Sequence, residues 1–332
     1  MVIDAKIESP LPFDKESFRR YDQSDDAAFF ASERFFHYFD WNVMSAMERV
    51  VTRRGLAVRP AVLDLLAGPH SHLPPGLDPS RVVGLGLDRS SLAANPALDE
   101  IVIHDLNRDP RLPLVDATFD LILIALSVEY MTRPVEVFRE LSRILRPGGL
   151  LLVAFTERTS PRKAVRIWLE SGEQERISLV QGYLDRAARF ERTRVSFTEA
   201  KTGLDGERVV VVSAATPCYG ETRPIRSPET VAKAVPDHGP EEIEYRKQRV
   251  RKTLRCPYCD QSLSRSSVGD TLLNQWDVDE VLVCLSESCP YYARSADVLR
   301  EQGVEGFSYR LMYDRKRDRF YTIPDIGFSG GG

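Results

Sequence analysis

Four cysteines stand in two pairs, Cys256 with Cys259 in CPYC and Cys284 with Cys289 in CLSESC, 24 residues apart. Paired thiolates at such spacing can wrap one tetrahedral Zn2+ with sulfurs at about 2.3 Å, as in a zinc ribbon. All four positions would then be protein ligands, which makes the ion structural and not catalytic. Cys218 stands apart and is expected to be a free thiol. Carboxylates form a second group: Asp64, Asp88 and Asp105 each stand in or just after a short apolar run. Acids there either hold turns and cap helices or face a ligand. His70, His72, Glu129 and Tyr130 lie close to the same runs. A base could stand at any of them, and each fits packing, positioning or a solvent-facing role as well, so no catalytic residue is assigned.

These groups need a scaffold, and the apolar pattern supplies one. Val62–Leu65, Val82–Leu85, Ile101–Ile103, Leu121–Leu126 and Leu150–Phe155 are apolar on both alternations. Such runs suit strands buried on both faces of a parallel sheet. Val135, Phe138, Leu141 and Leu145 form a helical stripe, and the RPGG that follows (146–149) stops it, because proline cannot continue a helix and glycine accepts positive φ. Alternating strands and helices predict an α/β fold with a doubly wound sheet. A further helix is expected within 163–190, and strands at Arg194–Phe197 and Val209–Val212. Upstream, Trp41, Met44, Met47 and Val51 give one buried helical face. It follows an aromatic stretch containing Phe29, Phe30, Phe35, Phe36, Tyr38 and Phe39, with Arg34, His37 and Asp40 interleaved. That stretch fits a substrate-facing lid or a packing helix with solvated charges.

VLDLLAGPHSHLP (62–74), VVGLGLDRSSLAAN (82–95), HDLNRDPRLPLVDATFDLILIALSVEYM (104–131) and LRPGGLLLVAF (145–155) together resemble class I S-adenosylmethionine (SAM)-dependent methyltransferases of the type 11 kind. The resemblance covers about 60–215 and implies a Rossmann-like sheet with SAM at the carboxyl ends of its strands. It places Asp64 near the cofactor's ammonium and Ala67 and Gly68 against its methionine. Gly86 and Asp88 fall beside the ribose, Asp105 on the adenine amino group with Leu106 donating a backbone N–H, and Ala125 and Leu126 on the floor. The departures are specific. Where the family commonly has three glycines after the first-strand acid, this sequence has Leu66, Gly68 and His70, followed by a proline-broken loop. Leu66 or His70 could intrude on the methionine space. The ribose acid falls on Gly86, with Asp88 two residues late. The Ser-His-Leu-Pro segment resembles an uncharacterised bacterial and plant group of methyltransferase-like proteins. The cysteine spacing with CPYY (289–292) resembles the zinc ribbon of phage late-gene transcription activators, which implies contact with protein or nucleic acid.

The formal net charge of −4 argues against a whole-surface polyanion binder. Basic clusters occur at Arg246–Arg255 and Arg315–Arg319, but from residue 217 onward 17 basic residues face 18 acidic ones. A mixed, solvated surface is therefore expected, and any nucleic-acid contact would be local. No apolar run of about 18 residues and no basic-then-apolar start occur, so no membrane association and a cytoplasmic location are expected. The expected organisation is a helical lid at 1–60, a SAM-dependent methyltransferase-like domain at 61–216, a linker at 217–249 rich in proline and charge, and a zinc ribbon at 250–332. The functional expectation is a SAM-dependent methyltransferase of unknown acceptor, whose ribbon recruits a partner or substrate. The alternatives are a catalytically inactive binding module acting through the ribbon, and a regulator that senses SAM or its demethylated product.

Overall fold

A computed structural model describes residues 2–3, 13–32, 41–56, 59–187, 189–199, 208–217, 240–267, 280–293 and 308–324. Five strands carry the parallel part of the sheet: β2 (Ala61–Leu65), β3 (Arg81–Gly86), β4 (Glu100–Ile103), β5 (Phe119–Ala125) and β6 (Leu145–Phe155). Three more, β1 (Val2–Ile3), β7 (Glu191–Glu199) and β8 (Arg208–Ala215), join antiparallel. The order is β1-β7-β8-β6-β5-β2-β3-β4, so strand succession reverses between β2 and β5, the switch point at which such sheets bind ligands. This is a Rossmann-like, doubly wound α/β sheet.

Both faces of the sheet are covered, as the uninterrupted apolar runs require. Alternate residues Leu63, Leu65, Ile122, Ile124, Leu151 and Val153 pack with helices α4 (Pro134–Ile144), α5 (Arg166–Leu169) and α6 (Glu173–Ala187). Their neighbours Val62, Leu121, Leu123, Leu150 and Leu152 pack with α2 (Trp41–Arg54) and with Leu92 of α3 (Arg89–Ala94). In α2, Val43, Met44, Met47, Val50 and Val51 are buried, so this helix lies on the sheet face. α4 begins with Pro134 at its first turn and ends before Leu145. The LRPGG segment then shifts the register between β5 and β6, with Gly148 at φ 77°. α1 (Asp26–Ser32) and residues 13–25 run beside the carboxyl ends of the strands. The stretch expected to be helical at 163–190 contains two helices, α5 and α6, separated at 170–172.

The C-terminal part has its own antiparallel sheet, β12-β11-β10-β9. Its strands are β9 (Ser264–Ser267), β10 (Glu280–Val283), β11 (Tyr309–Asp314) and β12 (Arg319–Pro324), and the last two form a hairpin around DRKRD. A helix, α7 (Pro240–Thr253), precedes it and occupies the last ten positions of the stretch read as linker. Its core is small: Val250, Leu282, Leu311, Tyr313 and Phe320 gather with Cys256, Cys284 and Cys289. The aromatics at 35–39 with their interleaved charges, Cys218 and the proline-rich residues up to 239 lie outside the described residues.

Candidate functional site

The carboxyl ends of β2, β3, β4 and β5 open into a cleft of about 950 Å³ when its solvent-filled mouth is included. Seven of the nine positions expected to meet a cofactor line it: Ala67, Gly86, Asp88, Asp105, Leu106, Ala125 and Leu126. Asp64 and Gly68 do not line it. Asp64 is 1% exposed and accepts a 2.7 Å hydrogen bond from Ser71 Oγ. Burial pushes its carboxyl up, against the attraction of His72. The Gly68 carbonyl accepts from Asn95 Nδ2 at 2.8 Å. Both residues therefore hold the loop that other residues present to the cleft.

That loop turns with only one of the family's three glycines, Gly68. Leu66 itself takes φ 59°, the left-handed region that glycine occupies freely, and the residue borders the cleft while packing against the core. Ala67 N–H donates to Leu85 O at 2.9 Å, which carries the loop across the end of β3. Gly86 is needed at this crossing, because a Cβ there would lie 2.6 Å from Ala67 O. His70 is turned away from the cleft, with Nδ1 3.2 Å from Tyr291 Oη, while His72 lines it. Of the two side chains expected to intrude, only Leu66 borders the space.

Asp88 ends the β3 loop and caps α3, accepting from the backbone N–H groups and hydroxyls of Ser90 and Ser91. Burial pushes its carboxyl up, but these four bonds outweigh it and hold the group below the usual carboxylate range. Asp88 Oδ2 takes three of them, leaving Oδ1 with a single 3.2 Å bond. Asp105 Oδ1 accepts from the N–H groups of Asn107 and Arg108, at 2.9 and 3.2 Å. Both acids thus do turn and cap work while facing the cleft.

The opposite wall comes from residues with no motif of their own. Asp26, 4% exposed, accepts from Arg20 Nη1 at 2.7 Å, Asn107 Nδ2 at 2.9 Å and Lys163 Nζ at 3.0 Å. Burial raises its carboxyl, and the bonds from Arg20, Asn107 and Lys163 more than reverse that. Asn107 also donates to Tyr130 O and accepts from Thr132. Asp26, Asn107, Ser127, Tyr130 and Met131 line the cleft together. Tyr130 Oη accepts from Ser160 N–H at 3.2 Å, and burial raises its phenol well above the ordinary value. Glu129 points away from the cleft and is 2% exposed; burial pushes its carboxyl up to about 7. From the cleft a second, larger depression, about 1980 Å³ with its mouth, continues past Asp26, Asp105 and Asn107 toward Phe13, Phe18 and Arg133.

These residues fit a SAM-like ligand by their chemistry. Three carboxylates border the cleft and no lysine or arginine among the described residues lines it, which suits a sulfonium and an ammonium better than a phosphate. Asn107, Asp26 and Met131 had no mark in the sequence, since each is one polar or apolar residue in a loop whose partners are distant in the chain. Only the position of 105–107 after a buried run pointed toward them.

In the C-terminal part, the ligand atoms of Cys256, Cys259, Cys284 and Cys289 all lie within 4.8 Å of one another. Cys256 and Cys289 sulfurs are 3.9 Å apart, and those of Cys259 and Cys284 3.6 Å. Sulfur separations near 3.8 Å are those of a tetrahedron with Zn–S near 2.3 Å, so the quartet fits zinc. The basic cluster beside it is paired with the chain's own acids: Arg249 with Asp260, Arg251 with Asp318 and Glu244, and Lys247 with Asp99.

Residues 70–153 match the methyltransferase domain family. A malonyl-[acyl-carrier protein] O-methyltransferase from Marinomonas sp. is 26% identical over 175 residues, which is 51% of this chain and 62% of that protein. The chain therefore spans less than two thirds of that relative's length. Among solved structures, a SAM-dependent methyltransferase from Aquifex aeolicus aligns over 53% of this chain and 94% of its own, with 19% identity and a TM-score of 0.38. A methyltransferase-like protein from Bacillus halodurans aligns over 52% and 99%, with 14% identity and a TM-score of 0.39. No helix among the described residues is long and apolar enough to cross a membrane.

Proposed function

We propose that this protein is a SAM-dependent methyltransferase carrying a structural zinc site in its C-terminal part. The observation that supports this best is the cleft at the switch point, where Gly86, Asp88, Asp105 and Leu106 end β3 and β4 on one wall. In this reading Asp88 Oδ1 takes a ribose hydroxyl, Asp105 the adenine amino group, and Ala125 and Leu126 the floor. Bound SAM supplies an electrophilic methyl group.

The chain's own contribution is alignment and exclusion of water. Asp26, fixed by three donors, and Asn107 hold residues 13–32 against the strand ends. The depression past Asp26 and Asn107 is the expected path for the acceptor. Tyr130, whose hydroxyl accepts from Ser160 N–H, stands at the border of the cleft and shapes the path to it. The four cysteines hold zinc with no open position, so the metal folds the C-terminal part and takes no part in methyl transfer.

Calorimetric titration of the full chain with SAM and S-adenosylhomocysteine tests the reading. Micromolar binding is expected, weakened about tenfold by Asp105→Ala, the value of one hydrogen bond to a charged acceptor. Absence of binding at millimolar ligand overturns it. Leu66 at the border of the cleft favours the other reading, a degenerate fold that has lost cofactor affinity and acts as a binding module through the ribbon, and the same titration decides between them.

A further inference from the structure

In doubly wound sheets a crossover helix normally links the first two parallel strands. Here residues 66–80, between β2 and β3, contain no helix. The C-terminal module packs against this segment and the turns beside it. Tyr291 Oη meets His70 Nδ1 at 3.2 Å, and the two rings pack edge to face at 6.0 Å. Arg319 donates to Pro79 O at 3.0 Å and to Ala97 O at 3.2 Å. Lys247 and Arg319 both reach Asp99, at 2.7 and 3.0 Å.

The module also closes the end of α3. A helix leaves its last carbonyls without partners, and here Tyr258 Oη donates to Ala94 O at 3.1 Å while Arg246 donates to Ala93 O at 3.1 Å. Asp88 at the other end of α3 borders the cleft. Asn95, just after α3, binds Gly68 O and so couples the helix to the loop. Two walls of the cleft, the 66–72 loop and α3, are therefore propped from behind by two tyrosines. Tyr258 lies between Cys256 and Cys259, Tyr291 is two residues past Cys289, and their rings pack at 5.1 Å.

We propose that Tyr291 and Tyr258 are positioning residues of the cofactor cleft, and that cofactor affinity depends through them on the metal-bound fold of the C-terminal module. The identity of the cofactor rests on the function proposed above; the brace itself does not. With the cysteines released from their metal, neither tyrosine has a fixed place, and the loop, which has no crossover helix and only Gly68 of the family's three glycines, loses one of its supports.

The test uses the full, zinc-loaded chain and two readouts. Amide exchange at residues 66–72 and 89–95 is measured without ligand, and affinity for S-adenosylhomocysteine by calorimetry. Tyr291→Phe and Tyr258→Phe keep the rings and remove the hydroxyls that meet His70 and Ala94 O, so exchange should rise about 3- to 10-fold in the segment each one holds, and affinity should fall by a similar factor. The melting temperature of the α/β domain should stay unchanged. Removing zinc with a chelator should reproduce both effects together. His70→Ala combined with Tyr291→Phe should be non-additive. Tyr313→Phe, which removes a hydroxyl bonded to Asp318 inside the module, is the control and should alter neither segment.

Unchanged exchange in both tyrosine variants and after chelation overturns the proposal, as does equal loosening by Tyr313→Phe. If exchange responds but the wild-type chain binds no S-adenosylhomocysteine, the brace stands and the methyltransferase reading falls.

Discussion

Glu129 offers a prediction whose size follows from the structure. Its carboxyl is buried in the short turn Val128–Tyr130 after β5, Oε2 has no hydrogen-bond partner among the described residues, and burial raises its pKa from 4.5 to about 7. The folded state thus keeps a proton over a range in which the unfolded chain has lost it. The stabilisation linked to that proton is fully present below about pH 4.5, erodes as pH rises, and is gone above about pH 7. A rise of this size corresponds to about 3 kcal/mol in total, of which about 2 to 3 kcal/mol is lost between pH 5 and pH 8. Glu129→Gln removes the titration. The stability difference between wild type and variant should therefore move by that amount over the interval, with the variant gaining on the wild type as pH increases. Urea unfolding followed by far-UV circular dichroism at half-unit steps measures it, with an unchanged urea dependence required for the comparison. A constant offset between the two proteins across pH 5 to 8 would refute the reasoning, because it would mean that the carboxyl titrates alike in both states.

Lys163→Met should release residues 13–25 by leaving Asp26 buried with one cation fewer, at a cost of about 3 to 5 kcal/mol. The amides of Arg166 and Ile167, which bond the carbonyls of Arg19 and Ser17, should then exchange at least 100-fold faster. Because the Asp26 carboxyl is held below its usual range, the same anchor should persist at neutral pH and loosen only as pH falls below about 4. Metal analysis should find one zinc per chain, and Cys289→Ala should abolish it. Amide signals from β10 and β11 should collapse in that variant while those of β5 and β6 remain, since structural zinc contributes on the order of 10 kcal/mol to such small folds. Leu66→Gly should relieve a left-handed backbone costing about 1 kcal/mol and clear the border of the cleft. Tighter binding of S-adenosylhomocysteine is expected, and weaker binding would show that the isobutyl group contributes to the site.

The sheet was legible because residues in its central strands must be apolar on both faces, and a run such as Leu121–Leu126 permits little else. The cysteine quartet and the DRKRD hairpin were legible for a similar reason: ligand spacing and turn chemistry are local. The cleft was legible only in part. Positions that follow a strand, Gly86, Asp88 and Asp105 among them, inherit their place from the sheet. Asp26 and Lys163 are 137 residues apart in the chain, and no periodicity relates them. The contact of Tyr291 with His70 spans 221 residues and joins two parts that sequence reading treated as independent. The helix α7 was obscured by its composition: its charges and the prolines before it suggested a solvated linker, whereas Val250 and the stem of Lys247 are buried against neighbouring elements.

The replaced glycines bear on what a glycine loop is for. A glycine after the first strand supplies a left-handed turn and room for close approach, and these are separable requirements. Leu66 meets the first at φ 59°, and Leu126 does the same at φ 52° after β5. Two strained residues at the ends of adjacent strands, both on the border of one cleft, place the strain where a ligand would benefit from a fixed backbone. The second requirement is met elsewhere, by Gly86, whose missing Cβ lets the loop cross within hydrogen-bonding distance of β3. A loop of this kind keeps its course only if other contacts hold it, since the left-handed leucine alone favours other conformations. Those contacts are in place: Ser71 to Asp64 beneath, Asn95 to Gly68 beside, and Tyr291 to His70 behind. Loss of glycine from the sequence pattern therefore moves the burden of shaping the cleft from the backbone's intrinsic freedom to its neighbours, and does not by itself remove the cleft.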